Sequence, residues 1–196
     1  MKAGGGLFGI DARALAVFRV AMGLLLLADL AVRMGDMEAM YSDAGMFPRA
    51  AVAQSVSTGW NWSFHFGSGA ATYQWWLFGL AGLLAVALAA GFETRLAAIG
   101  SWLMLVSIQH RVPMVLSGAD ILFRMLLFWG MFLPLGRAWS VDRWRRERRD
   151  GGKAEAEVVQ SMGTIAILAQ MGMMYLFSAF FKSNAAWFEG DVIKGS

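Results

Sequence analysis

The 196 residues are 58% hydrophobic and only 16% charged, against about 45 to 50% apolar and about 25% charged in ordinary soluble domains. That much apolar surface excludes a soluble globular fold, and the absence of cysteine excludes disulfides, thiolate nucleophiles and cysteine metal sites. The net charge of +3 does not signal nucleic acid, because the basic residues are concentrated in one loop between apolar stretches, which is a topology signal.

The expected fold is therefore all-α, a polytopic transmembrane helical bundle of about five spans forming a single domain over residues 1–196. The start, MKAGGGLFGIDARALAVF, lacks the ordered basic region, short apolar core and cleavage site of a signal peptide, so the first span is read as retained. That span runs over 14–32, with Asp11 placed to cap it. Residues 33–72 are too polar to cross and carry Pro48 and the cluster Trp60, Trp62, Phe64, His65, Phe66; they read as an external loop with short interfacial helices. Spans two to four are expected over 73–90, 96–108 and 121–135, with a tight hairpin at Gly91 to Arg95 and Pro134 where a helix ends or kinks. The loop 136–157 holds Arg137, Arg143, Arg145, Arg146, Arg148, Arg149 and Lys153, and a fifth span follows over 158–181. Basic residues of short loops stay cytoplasmic, so the N-terminus is expected inside and the C-terminus outside, in a cell inner membrane. The RRERR run reads as a topology determinant that also touches anionic lipid.

Ionisable residues inside spans are costly, so each calls for a partner or a function. Arg19 and Asp29 in span one, Arg124 in span four and Lys182 at the outer end of span five stand out. Asp29 with Arg33, and Asp120 with Arg124, are one helical turn apart, a spacing at which opposite charges pair. Such pairs either neutralise each other and fix helix ends, or face an outward cavity. Arg19 reads as snorkelling to the inner headgroups. Tyr175, Ser178 and Lys182 fall on one stripe of span five. The stripe is either an interhelical polar seam with a terminal lysine anchor, or the wall of a cavity; an amine withdrawn from water favours its neutral form and can act as a general base. His65 and His110 lack metal-site spacing, His110 lies on the outer side, and no metal or nucleic-acid ligand is expected.

Three stretches together resemble the horizontally transferred transmembrane domain family, which includes vitamin K-dependent gamma-glutamyl carboxylase. They are IDARALAVFRVAMGLLLLADLAVR (Ile10 to Arg33) followed by MYSDAGMFPR, SGADILFRMLLFWGMFLPLGRAWSVD (Ser117 to Asp142), and YLFSAFFKSNAAWFEG (Tyr175 to Gly190). The resemblance implies a base at Lys182, followed by Trp187 and Gly190, acting on a reduced quinone such as menaquinone or vitamin K hydroquinone. It implies an outward cavity formed with Asp120, Arg124, Tyr175 and Trp187, with Ser178 and His110 as supporting residues. The sequence departs from the carboxylase in having Phe181 where that enzyme has a second lysine, and Gly118, Ala119 and Asp120 near its functional histidine. Two roles follow as expectations: a quinone-dependent epoxidase or carboxylase-like lyase, or a non-catalytic module that binds or matures a secreted peptide or works with another membrane subunit.

Overall fold

The computed structural model describes residues 9–55, 62–150, 158–159 and 162–183. Among the described residues eight helices follow in chain order: α1 (Ala12–Gly35), α2 (Met37–Tyr41), α3 (Arg49–Ser55), α4 (Ala71–Ala90), α5 (Thr94–Arg111), α6 (Gly118–Gly130), α7 (Val141–Asp150) and α8 (Met162–Lys182). Three-residue 3-10 turns sit at Phe64–Phe66 and Pro113–Val115. No strand is expected from the sequence, yet Ile10–Asp11 pairs antiparallel with Val158–Val159, a two-residue tie between the entries to α1 and α8.

Long apolar runs make α1, α4 and α8 long and hydrophobic enough to cross a membrane. The expected third and fourth spans are shorter helices, α5 of 18 residues and α6 of 13. At ~1.5 Å per residue α6 rises only about 20 Å. It stops at Gly130, short of the expected 135, and residues 131–139 run on as turns through Pro134. Pro134 has no N–H to continue a helical ladder.

The helices pack in the order α1, α4, α5, α6, with α8 against α6. Met22 and Leu26 of α1, Ala85 and Leu88 of α4, Ala97, Ala98 and Leu105 of α5 and Leu127 of α6 form one buried cluster. At Gly23 an added Cβ would lie 2.7 Å from the Ala89 Cβ, so the missing side chain is what lets α1 and α4 approach. The outward positions are apolar as well: Leu24, Leu25, Val32, Trp76, Leu83, Val86 and Leu96 are exposed. A bundle with hydrophobic residues on both faces belongs in lipid.

Arg19 does not snorkel. It is buried, and its guanidinium donates to the carbonyls of Leu135 (3.0 Å), Ala138 (3.2 Å) and Trp139 (2.7 Å). These carbonyls belong to the turns after α6, where no helix supplies donors, and an arginine with five N–H groups satisfies several at once. Asp11 caps α1 as its position predicts, accepting from the Arg13 N–H at 2.7 Å. The bundle has an Arg19 end, where α1 begins and α6 ends, and an Arg33 end, where α1 ends and α6 begins.

Candidate functional site: a polar cluster and an exposed lysine stripe

The Arg33 end is where charged groups converge. Asp29 and Arg33 share a helix face as their spacing predicts, with Arg33 Nε donating to both carboxylate oxygens at 2.9 and 2.8 Å. The same guanidinium crosses to α6, where Nη2 donates to Asp120 Oδ1 at 2.9 Å, and touches the Tyr41 hydroxyl at 3.3 Å. Asp120 is the third residue of α6 and closes a capping box with Ser117, whose backbone N–H and hydroxyl both donate to Oδ2 at 2.8 Å. The Asp120 oxygens are thus committed to Arg33 and Ser117. Arg124, one turn further along α6, is half-buried and forms no salt bridge with Asp120, although their spacing allowed one.

Beneath this pair the segment between α1 and α4 folds back onto the helix ends. Arg111, fully buried at the end of α5, donates from Nη2 to the carbonyls of Tyr41 (3.1 Å) and Phe47 (2.8 Å), and its guanidinium lies 5.7 Å from the Phe66 ring centre. His65 is also fully buried, its ring between those of Tyr41 and Phe78, each 5.7 Å away. Gln74 spends its amide hydrogens on the carbonyls of His65 (3.1 Å) and Ser68 (2.7 Å), so its oxygen faces His65 Nδ1 at 2.5 Å. That assigns the proton to Nδ1 and leaves a neutral ring. Burial, reinforced by the charge of Arg111 and only partly offset by Gln74, lowers the His65 pKa to about 4. Burial likewise pushes the Tyr41 phenol up, with Arg33 opposing it. Arg111 Nε and Nη1 and His65 Nε2 are buried without a hydrogen-bond partner among the described residues.

His110, by contrast, is half-exposed, with Nδ1 3.0 Å from the Trp62 carbonyl and its ring edge-on to Trp62. It shares the Arg33 end with Asp120, but no hydrogen bond joins the two. Tyr175, Ser178 and Lys182 lie on one face of α8, and every described side chain from Met171 to Lys182 is exposed. Among the described residues α8 packs through its first turns, where Gly163 meets Phe132 and Leu133 and Ile167 meets the cluster of Leu15 and Leu135. Starting at the Arg19 end, it carries Lys182 away from that end. Trp187 lies outside the described residues. The structure thus gathers Asp29, Arg33, Tyr41 and Asp120 into one network, while the lysine stripe stands apart from it.

A family model described as the HTTM domain matches residues 9–195. The chain belongs to the HTTM domain family. No curated protein and no solved structure matches it. With three helices of membrane-crossing length among the described residues, this is an HTTM membrane protein. Two of its fully buried polar residues, His65 and Arg111, have no buried role in the sequence reading, where His65 enters only as part of the interfacial cluster and as a poor metal ligand. A signal for them existed in the cost of placing an arginine and a histidine against long apolar helices, but their carbonyl and amide partners are remote in sequence.

Proposed function

We propose that this HTTM protein acts on a reduced quinone, with Lys182 as the base at the end of α8 and the loop-covered Arg33 end facing the outside of the cell. The observation that carries the reading is the exposed stripe of Tyr175, Ser178 and Lys182 on an apolar helix within the matched domain. The described surroundings fit such a ligand chemically: one amine, one phenol and the ring of Phe181 are presented from an apolar helix, within reach of a planar molecule dissolved in the bilayer. A bound hydroquinone would supply the electrons for reaction with oxygen. Lys182 would accept a phenolic proton at Nζ, and Tyr175 would offer ring area and a hydroxyl for orientation. The N-terminus then lies inside and the arginines of α7 mark the cytoplasmic side of the inner membrane.

The test is incubation of purified protein in nanodiscs with reduced menaquinone or vitamin K hydroquinone and oxygen, reading quinone epoxide by chromatography. Parent protein should form epoxide and Lys182→Ala should not; indistinguishable traces overturn the reading. The exposure of Phe177, Phe180 and Phe181 favours a second reading, in which α8 is the contact face of a non-catalytic module for a secreted peptide or another membrane subunit. That reading predicts cellular function retained in Lys182→Ala and a partner that co-purifies with the protein until α8 aromatics are replaced.

A further inference from the structure

We propose that α7 is a fixed shelf at the Arg19 end that binds the headgroups of anionic phospholipids in the adjacent leaflet. A run of arginines between two membrane helices is usually a solvated tether, but α7 is bolted to the end of α4. The Asp142 N–H donates to the Gly91 carbonyl at 3.0 Å, and its carboxylate accepts from the Glu93 N–H (2.8 Å), the Thr94 N–H (2.8 Å) and the Thr94 hydroxyl (2.6 Å). Arg146 donates to the Gly136 carbonyl at 2.6 Å, and Arg19 holds the Trp139 carbonyl from inside the bundle. Because Ala90 and Gly91 end a membrane-crossing helix, whatever is fixed there sits at the level of the headgroups.

The charge left over on this shelf is positive and aromatic. Asp142 is turned inward onto α5, and Glu147 is engaged by Arg143 at 2.6 Å. Arg148 lies 3.8 Å from the Trp144 ring centre, and neither Arg148 nor Arg149 has a carboxylate partner among the described residues. Val141, Trp144, Arg145 and Arg148 follow the spacing of one helix face. Trp139 and Trp144 are 63% and 51% exposed. With Ala90, Ser140, Val141, Arg143 and Glu147, whose carboxylate Arg143 holds, they border an open groove of about 670 Å³ between α7 and the end of α4. Tryptophan favours the headgroup layer and arginine pairs with phosphate, so the occupant that matches both is an anionic phospholipid.

The experiment places the full chain in nanodiscs of phosphatidylcholine containing a minority of phosphatidylglycerol. Electron paramagnetic resonance then measures the immobilised fraction of spin-labelled phosphatidylglycerol relative to spin-labelled phosphatidylcholine. Parent protein should prefer the anionic label, and Arg148→Ala and Arg149→Ala should each lower the preference by up to about fivefold. Arg148→Lys with Arg149→Lys should retain most of it. Trp144→Ala, which leaves the charge unchanged, should lower it about two- to fivefold. Equal immobilisation of both lipids by the parent protein overturns the proposal. So does an Arg95→Ala effect as large as those on α7, which would make the preference a diffuse field without a site. Binding of a labelled RNA in neutral nanodiscs, lost with the same two arginines and without any lipid preference, would assign the face to nucleic acid instead.

Discussion

Arg33, on the last turn of α1, donates to the Asp120 carboxylate of α6 at 2.9 Å, joining two helices 87 residues apart in sequence. Both side chains are mostly covered, 15% and 17% exposed, and both hold a second partner, Asp29 and Ser117 respectively. Removing Asp120 leaves Arg33 with Asp29 alone, and removing Arg33 leaves two partly covered carboxylates without their shared cation. Asp120→Ala and Arg33→Met should each cost about 2 to 4 kcal/mol. Because the two groups touch, their effects should be non-additive in a double-mutant cycle. Arg124→Gln should change stability by less than about 1 kcal/mol. Denaturant titration in mixed micelles gives these values, and an Arg124 effect equal to that of Asp120 would contradict the assignment.

The three carbonyls after α6 predict a different kind of dependence on Arg19. A single guanidinium reaches the Leu135, Ala138 and Trp139 oxygens from inside the bundle. Arg19→Met, which keeps most of the volume, should destabilise the protein by about 3 kcal/mol or more. Arg19→Lys should recover only part of the loss, because one ammonium cannot reproduce the planar fork. Gly91 reads out the same junction: at φ +72°, with Ser140 Cβ 2.4 Å and Arg19 Nη1 2.6 Å from an added Cβ, Gly91→Ala should also destabilise it. Recovery of full stability by lysine would show that charge alone matters at position 19.

What was legible in the sequence was whatever depends on neighbouring positions. The long apolar runs located α1, α4 and α8, and the polarity of 33–72 marked the short helices α2 and α3. A four-residue step was enough to find the Asp29 and Arg33 pair. The same rule applied to Asp120 and Arg124 pointed elsewhere, because a capping serine three residues earlier and an arginine on another helix compete for one carboxylate. His65 and Gln74 meet only because the loop folds onto α4, and Arg111 reaches carbonyls 64 and 70 residues away. Backbone carbonyls carry no sequence signature as acceptors, so a buried arginine announces a need without naming its partner. Lys182 shows the converse: a stripe readable from spacing alone, placed on the least covered helix.

His65 makes acid stability testable. Its ring is neutral in the folded protein, with a pKa lowered to about 4 chiefly by burial, whereas an unfolded chain binds the proton near about 6.5. The unfolded state therefore holds more protons between these values. The contribution of the neutral ring is complete above about pH 6.5 and falls as the pH drops toward 4, by about 3 kcal/mol in total. His65→Phe keeps a ring between Tyr41 and Phe78 and should flatten that part of the stability profile, whatever its effect at neutral pH. Equal slopes for parent and variant from pH 6.5 to 4.5 would mean that the ring is open to protonation in the folded state.

Asp142 governs whether α7 is attached at all. The N-cap of α5 is Glu93, which has a left-handed backbone (φ 42°) and makes no side-chain cap, so the free amides at the helix start depend on a carboxylate from 48 or 49 residues later. Burial alone would raise the Asp142 carboxyl. The hydrogen bonds from Thr94 and Glu93 and the nearby charge of Arg146 more than reverse this and hold it below the usual carboxylate range. Its folded form is thus favoured above the unfolded pKa of about 4 and weakens as the pH falls below it. Asp142→Ala should cost about 2 kcal/mol and release the arginine-rich helix from the α4–α5 turn. Trypsin provides the readout: the parent protein should resist cutting within α7 while Asp142→Ala is cut quickly at Arg145 to Arg149, and Asp142→Asn, which still accepts hydrogen bonds, should fall between. If the three are cut at one rate, α7 is not held by this cap and the shelf it forms has another support.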